Sequence, residues 1–483
     1  MKVSFLFFAV FLFAGVSANA ALTESEGCFL IGSSDDLYEF AAIYNSSDKD
    51  TMAMRLECVK LTQDIVVNKN VLTDSGSLNE GSFKKWEPIN DFYGTFDGDG
   101  HAIYGLYVDD AEKENVGFFG KVGAFEIKNL GLEDFYFRGE DNVGAFVGYT
   151  IAPGKVSLIS NSYSSGVVVG ASSMLGCVGG FVGFAQSTIK FSSCWNESVL
   201  YGGSKIGGFV GLLNTLPLED DRPSICQSYN AGQIYGSYQV GGLVGMLAGY
   251  SGLEIKNAYN KGYVEGDYEV GGIVGVKKES KGILAVYNTY NVGKISPSKW
   301  AIVGDASDSG LRLDNCFYLK QDSLAAANVS SGSEPITTGF TASEEKALYD
   351  GSVAAALRGW KETDSTGAVI DGENGLVWAE DPAEACVLPH FVWEKDDPVS
   401  SSVCLVPTPV APKKWYGFSV YVVNRSLQVA HARAGDRYAL FDMQGNVVLR
   451  GTANSANFSI AVPVSGHYVL RIGYGTRKVA VGN

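Results

Sequence analysis

Val240-Gly-Gly-Leu-Val-Gly245, followed by Ile255-Lys-Asn-Ala-Tyr259 and Gly262-Tyr-Val-Glu-Gly266, is the stretch that decides the fold. The first block recurs as Val143-Gly-Ala-Phe-Val-Gly148, Val178-Gly-Gly-Phe-Val-Gly183, Ile206-Gly-Gly-Phe-Val-Gly211 and Val270-Gly-Gly-Ile-Val-Gly275, with degenerate copies at Val116-Gly-Phe-Phe-Gly120 and Ile302-Val-Gly304. The second recurs as Ile159-Ser-Asn-Ser-Tyr163, Ile225-Cys-Gln-Ser-Tyr229, Val286-Tyr-Asn-Thr-Tyr290 and Leu313-Asp-Asn-Cys-Phe317. The closing glycines Gly148, Gly183, Gly211, Gly245, Gly275 and Gly304 lie 35, 28, 34, 30 and 29 residues apart. A period of this size marks a solenoid or a propeller, and the units are too short for a four-stranded blade of about 40 residues. Inside each block the alternation has period two, the strand signature. Three short strands and their corners therefore account for one circuit of a parallel β-helix, whose exposed end edges require caps.

Composition agrees. The 59 glycines among 483 residues are about 12%, against roughly 7% in average usage. Only 13 prolines and no three-residue period exclude collagen. The 25 tyrosines and 26 phenylalanines favour strands. The net charge of −16 is uneven: residues 405–483 hold nine Lys and Arg against Asp436 and Asp442, a net of +7, which leaves −23 for the rest. An acidic body disfavours nucleic acid as a partner.

The expected organisation starts with a signal peptide over 1–20: Lys2, an apolar run from Phe5 to Val16, and Ala18-Asn19-Ala20 as cleavage site. No later run is long enough to cross a bilayer, so no transmembrane segment is expected in the mature chain. Residues 21–110 are read as a cap and first coils. They hold a helix N-capped by Ser34 and carrying Leu37, Phe40, Ala41 and Tyr44, a strand from Leu61 to Val67, and a turn at Asp97-Gly-Asp-Gly100. Residues 111–320 hold the repeats. Residues 321–394 are the C-terminal end of the solenoid, weakly helical from Glu344 to Trp360 and closed by Gly375-Leu-Val-Trp378 and Pro389-His-Phe391. A Pro- and Ser-rich linker comes next over 395–414, then a small antiparallel β-sandwich over 415–483. The class is all-β.

Export permits disulfides. Proximity pairs Cys28 with Cys58 and Cys386 with Cys404, whereas Cys177, Cys194, Cys226 and Cys316 allow three connectivities.

Gly241-Gly-Leu-Val-Gly245 with Asn257-Ala-Tyr-Asn-Lys-Gly262, and the lead-in Trp86-Glu-Pro-Ile89, Phe96-Asp-Gly-Asp-Gly-His101 and Ile103-Tyr-Gly-Leu-Tyr107, resemble the GLUG-repeat family over about Cys28 to Phe391. The resemblance implies a right-handed parallel β-helix on a bacterial surface protein, often adhesin-like, and carries no catalytic residues. More loosely, Tyr438-Ala-Leu-Phe-Asp-Met-Gln-Gly445 and Gly466-His-Tyr-Val-Leu-Arg471, with Arg477-Lys478, are similar to the C-terminal sorting domains of type IX secretion cargo. That implies recognition by an export machine.

The chain offers no HExxH around His101, His390, His431 or His467, no GxSxG and no P-loop. No catalytic residue, metal site or cofactor is assigned. Asp97 with Asp99, and Glu265 with Asp267 and Glu269, are the carboxylates a glycosidase would need, but turn chemistry and a solvated corner explain them more simply. Alternation places the column Tyr163, Trp195, Tyr229, Tyr259, Tyr290 and Phe317 inside the coil, with Asn161, Asn257, Asn288 and Asn315 in a ladder near a corner. It points Tyr201, Tyr235 and Tyr263 outward, with Tyr238 and Tyr268 at the next corner, as one surface strip for a glycan or a host or surface protein. The expected function is a secreted or cell-surface, non-catalytic adhesin or binding protein. The alternatives are a polysaccharide lyase or glycosidase on a β-helix, or a passive structural protein.

Overall fold

The Val-Gly-x-x-Val-Gly block supplies two strands and the corner between them, and stacking these blocks builds a parallel β-helix. The computed structural model describes residues 22–394 and 419–481, apart from short intervals within them. In it Val147, Val182, Val210, Val244, Val274 and Val303 pair in succession. They belong to an eight-stranded parallel sheet running from Phe119–Val122 to Ala325–Val329. A five-stranded sheet holds the first Val-Gly pair of each block, and one long sheet carries the remaining strands of every coil. The variable block position fills the interior: Phe146, Phe181 and Phe209 stack at 4.9 and 4.8 Å, and Leu243, Ile273 and Ile302 are buried in the same core.

Alternation does not run unbroken through the second block. Asn257 has φ +49, as Asn129, Asn161, Ser193, Gln227, Asn288 and Asn315 have values from +46 to +54 at the equivalent place. One left-handed residue, tolerated best by Asn, bends the strand and reverses its parity. In Leu253–Asn260 the interior therefore receives Leu253, Ile255 and Ala258, while Tyr259 leaves it. The expected ladder is present: Asn161 donates to Asn129 at 3.3 Å, Asn288 to Asn257 at 2.6 Å and Asn315 to Asn288 at 2.6 Å. The aromatic column is also present, with rings 4.6 to 6.3 Å apart from Tyr163 to Tyr290, but it stands on the outside of the coil.

A second amide ladder runs through the interior. Asn196 donates to Asn230 at 2.7 Å, Asn230 to Asn260 at 2.8 Å and Asn260 to Asn291 at 2.8 Å, all buried. Each of the last three also caps the next corner, as Asn230 accepts from Gly232 N (3.2 Å) and donates to its carbonyl (3.1 Å). This ladder explains the glycines on either side of it. A Cβ on Gly242 would lie 2.0 Å from Gly272 O and 2.7 Å from Asn260 Cγ, and one on Gly262 would lie 1.9 Å from Gly232 O.

At the N-terminal end the helix Ser34–Asn45 closes the coil with Leu37, Phe40, Ala41, Ile43 and Tyr44. Its N-cap is Ser33, whose hydroxyl accepts from Asp36 N, and not Ser34. Strands Cys28–Ile31 and Cys58–Leu61 are parallel neighbours, and a disulfide joins Cys28 to Cys58. The first strands thus begin before the expected Leu61. Cys386, Cys404, the linker and residues 1–20 lie outside the described residues. Cys177, Cys194, Cys226 and Cys316 are free thiols.

After Ile336–Thr338 and Thr341–Ser343, which pair onto the last coil, no described strand joins the coil sheets. A strap made of the helix Ser352–Arg358 and residues around Trp378 and Phe391 lies across the outer tyrosine column instead. Leu348, Val353, Leu357, Trp378 and Phe391 share one cluster with Tyr229, Tyr259, Tyr290 and Phe317. Asn288 Nδ2 donates to Leu357 O at 2.9 Å, Trp378 Nε1 to Asn257 Oδ1 at 3.2 Å and Tyr259 to Glu394 at 2.8 Å. The position of Tyr259 beneath this cover, with burial as the leading cause, raises its hydroxyl pKa well above the ordinary value.

The described residues of the C-terminal region form an antiparallel sandwich. Its three-stranded sheet comprises Ser419–Val423, Ser426–Ala430 and Phe458–Ala461; its four-stranded sheet comprises Arg437–Asp442, Val447–Thr452, Gly466–Ile472 and Gly475–Val481. Leu427, Val429, Leu440, Ile460 and Leu470 are buried between the sheets.

Candidate functional site

The five tyrosines expected on the surface fall into two groups set by strand register. Tyr201 is paired with Tyr235, and Tyr235 with Glu265, along one outer face. The rings of Tyr201 and Tyr235 stack at 5.1 Å and 9°, while Tyr263 meets Tyr235 at 5.7 Å but tilts by 54°. Tyr235 is only 7% exposed, so within this group Tyr201 and Tyr263 hold the accessible edges. Hydroxyl partners fix the orientations: Tyr235 donates to Gln233 Oε1 at 3.2 Å and Tyr263 to Glu265 Oε2 at 2.9 Å.

The second group lies past the corner. Tyr238 and Tyr268 are register partners stacked at 5.1 Å and 9°. Tyr268 sits in the last strand of the five-stranded sheet and is 60% exposed. Much of this ring is accessible beside its stacked neighbour, which a flat apolar ligand surface or a cation can use. Two apolar side chains that sequence reasoning did not single out, Met174 and Leu175, stand 63% and 76% exposed on a loop. Lys205 Nζ holds that loop by donating to Met174 O at 2.7 Å, and Lys205 comes directly after Ser204, the register partner of Tyr238.

The face toward the N-terminal coils is covered. Asp134 accepts from Val71 N at 2.9 Å and Leu72 N at 2.7 Å, holding a loop whose Val71, Leu72, Leu78 and Phe83 pack over Tyr136 and Val167. Tyr201 lies at the margin of that cover.

Of the carboxylates considered for hydrolysis, Asp97, Asp99, Glu265 and Glu269 have structural partners. Asp97 accepts from Asp99 N and Asn129 Nδ2, both at 2.9 Å, and Asp99 pairs with Lys60 at 3.1 Å. Glu269 pairs with Lys278 at 3.6 Å and Glu265 accepts from Tyr263. Among the described residues no group of three or more His, Cys, Asp or Glu converges as a metal site. Burial pushes the thiols of Cys177, Cys194 and Cys316 up to about 12, and that of Cys226 to about 11, away from the range of a reactive thiolate. Among the described residues no helix is long and apolar enough to cross a membrane.

No family model matches the chain. Among curated proteins, halomucin of Haloquadratum walsbyi is 26% identical over 217 residues, covering 42% of this chain and 2% of halomucin. The chain thus spans a fiftieth of the length of that relative. Among solved structures, a Bacteroides ovatus protein bearing the name "putative immunoglobulin A1 protease" aligns over 76% of this chain and 93% of its own, at 18% identity and a TM-score of 0.40. The likeness is distant, and no activity is carried over from it.

Proposed function

We propose that the chain is a secreted, surface-displayed, non-catalytic binding protein of adhesin type, which holds a glycan on the tyrosines of its solenoid. The observation that carries this reading is the exposure of Tyr268, stacked on Tyr238, with the separate group of Tyr201, Tyr235 and Tyr263 before the corner. Sugar rings pack their apolar faces on such aromatic faces, and a parallel β-helix fixes the spacing with little loss of side-chain entropy on binding. The GLUG-like blocks support the surface assignment. The sorting-like tail and the signal-like start support export, with the export machinery as the partner of residues 415–483. A protein ligand on the same strip is the other expected partner class.

The test is a chain with Tyr201, Tyr235, Tyr238, Tyr263 and Tyr268 all changed to Ala, compared with the parent on a glycan array. Retention by the parent and loss by the variant is the expected outcome. Because Tyr235 is buried, the Tyr268→Ala and Tyr263→Ala single variants separate lost binding from lost folding. Equal retention by folded variants and parent removes the tyrosines from the site.

A further inference from the structure

The strap displays the chemistry that the outer flank of the long sheet accepts. Its rings lie tilted against the tyrosine column, Phe391 on Tyr259 at 5.6 Å and 44° and Trp378 on Tyr290 at 5.7 Å and 49°. Its carbonyls accept from the flank: Leu357 O from Asn288, Ala356 O from Asn315 at 3.2 Å, and Pro389 O from the Tyr290 hydroxyl. Rings stacked on one another leave edges to an incoming group, and tilted edge contacts are what a second set of aromatic side chains provides. The strap climbs toward the N-terminal coils, with its helix at Asn288 and Asn315, Trp378 and Phe391 at Tyr259, and Trp393 last, 5.7 Å from Trp195.

The flank continues past that point with the same parts. Tyr163 stacks on Trp195 at 4.6 Å and 8°. Asn161 and Asn129 extend the amide ladder, and both keep the left-handed φ of the covered rungs. Trp195 and Tyr163 are half-buried and Asn161 is exposed. The orientation of Tyr163 is fixed from below: its ring lies across Gly131, where a Cβ would come within 2.5 Å, and its hydroxyl donates to Glu133. The rung is pre-organised, so little ordering accompanies binding.

We propose that this end of the flank, formed by Asn129, Asn161, Tyr163 and the half-buried Trp195 beside Trp393, and covered by no other described residue, docks an extended segment of a partner polypeptide bearing aromatic side chains, laid on the solenoid as the strap is. Continuity with the interface that the strap already makes identifies this occupant. The partner's rings meet the edges of Tyr163 and Trp195, and its carbonyls meet the Asn161 and Asn129 amides. This site is separate from the Tyr268 surface and does not depend on it.

The probe is a labelled synthetic peptide with the sequence of residues 388–394, Leu-Pro-His-Phe-Val-Trp-Glu, titrated into the full chain and monitored by fluorescence anisotropy. Saturable binding is expected, weakened about tenfold by Tyr163→Ala, the scale of one lost aromatic anchor. Tyr163→Phe restores it, which separates a lost ring from a lost fold, and Tyr268→Ala leaves it unchanged. A peptide whose Phe and Trp are both replaced by Ala is expected not to bind. The proposal is overturned if the full chain shows no saturable binding. It is equally overturned if Tyr163→Ala binds as the parent does, or if the loss accompanies Tyr268→Ala instead.

Discussion

Trp378→Ala separates an outer aromatic column held by a strap from a column that belongs to the coil's own core. Trp378 is fully buried, 4.5 Å from Phe391, 5.7 Å from Tyr290 and 6.2 Å from Tyr259. A buried aromatic side chain removes about 150–250 Å² from water, worth about 4–6 kcal/mol as an upper bound. Truncations of Trp or Phe to Ala in packed sites cost about 3–5 kcal/mol. The lost indole N–H leaves no orphan, because Asn257 Oδ1 still accepts from Asn288 Nδ2 at 2.6 Å. The loss therefore falls on strap opening, at about 3–5 kcal/mol, and the coils beneath keep their own hydrogen bonds. The amides of Ala379 and Val392, which bond His390 O at 2.8 Å and Val377 O at 3.0 Å inside the strap, should exchange roughly a hundredfold to several thousandfold faster, up to the limit set by a released strap. Coil amides such as Val264, bonded to Lys294 O, should be unaffected. Hydrogen exchange read by mass spectrometry decides it. Unchanged exchange at Ala379 and Val392, or parallel loss of protection throughout the coils, refutes the reasoning.

Asn230→Ala removes a side chain that makes four hydrogen bonds, and it strands groups on Asn196, Gly232 and Asn260; a stability loss of about 2–4 kcal/mol by urea denaturation is expected, and a loss below about 1 kcal/mol contradicts the interior ladder. Gly262→Ala puts a methyl 1.9 Å from a neighbouring coil's carbonyl, so soluble folded protein should be lost. Gly154→Ala, at φ +72 with nothing within 4 Å, should cost about 1 kcal/mol and remain folded. At pH 8 the thiols of Cys177, Cys194, Cys226 and Cys316 lie well below their raised pKa values of about 11 to 12 and stay protonated. Iodoacetamide should modify Cys177, Cys194 and Cys316 only after denaturation, and peptide mapping that finds native-state labelling at any of these three contradicts their burial.

The repeat made the solenoid legible because its glycines and valines recur at one place in each coil, and register places those valines side by side. The outer position of Tyr259 was not legible from alternation, since Asn257 in the left-handed region reverses the parity of the residues after it. A signal was there: the residue between that position and the aromatic ring is always small, as in Ser162, Cys194, Ser228, Ala258, Thr289 and Cys316. Small side chains fit the interior beside the bend, and the bulky neighbour must then face out. The inner ladder of Asn196, Asn230, Asn260 and Asn291 was visible only as the Asn directly after Trp195, Tyr229, Tyr259 and Tyr290. The strap could not be placed from Trp378 and Phe391, because its contacts reach back more than a hundred residues, as Trp378 to Asn257 does. Of the surface strip, the pairings Tyr201 with Tyr235 and Tyr238 with Tyr268 come from equal offsets within each repeat. The burial of Tyr235 does not, since it depends on the neighbouring rings on both sides.

Binding without turnover is tested most directly by incubating the purified full chain with a panel of polysaccharides and assaying each sample for both retained glycan and new reducing or unsaturated ends. The predicted result is retention of at least one glycan, lost with Tyr268→Ala, and no growth of chain ends with time. Accumulating ends that scale with protein concentration would contradict it and make the solenoid flank an active site.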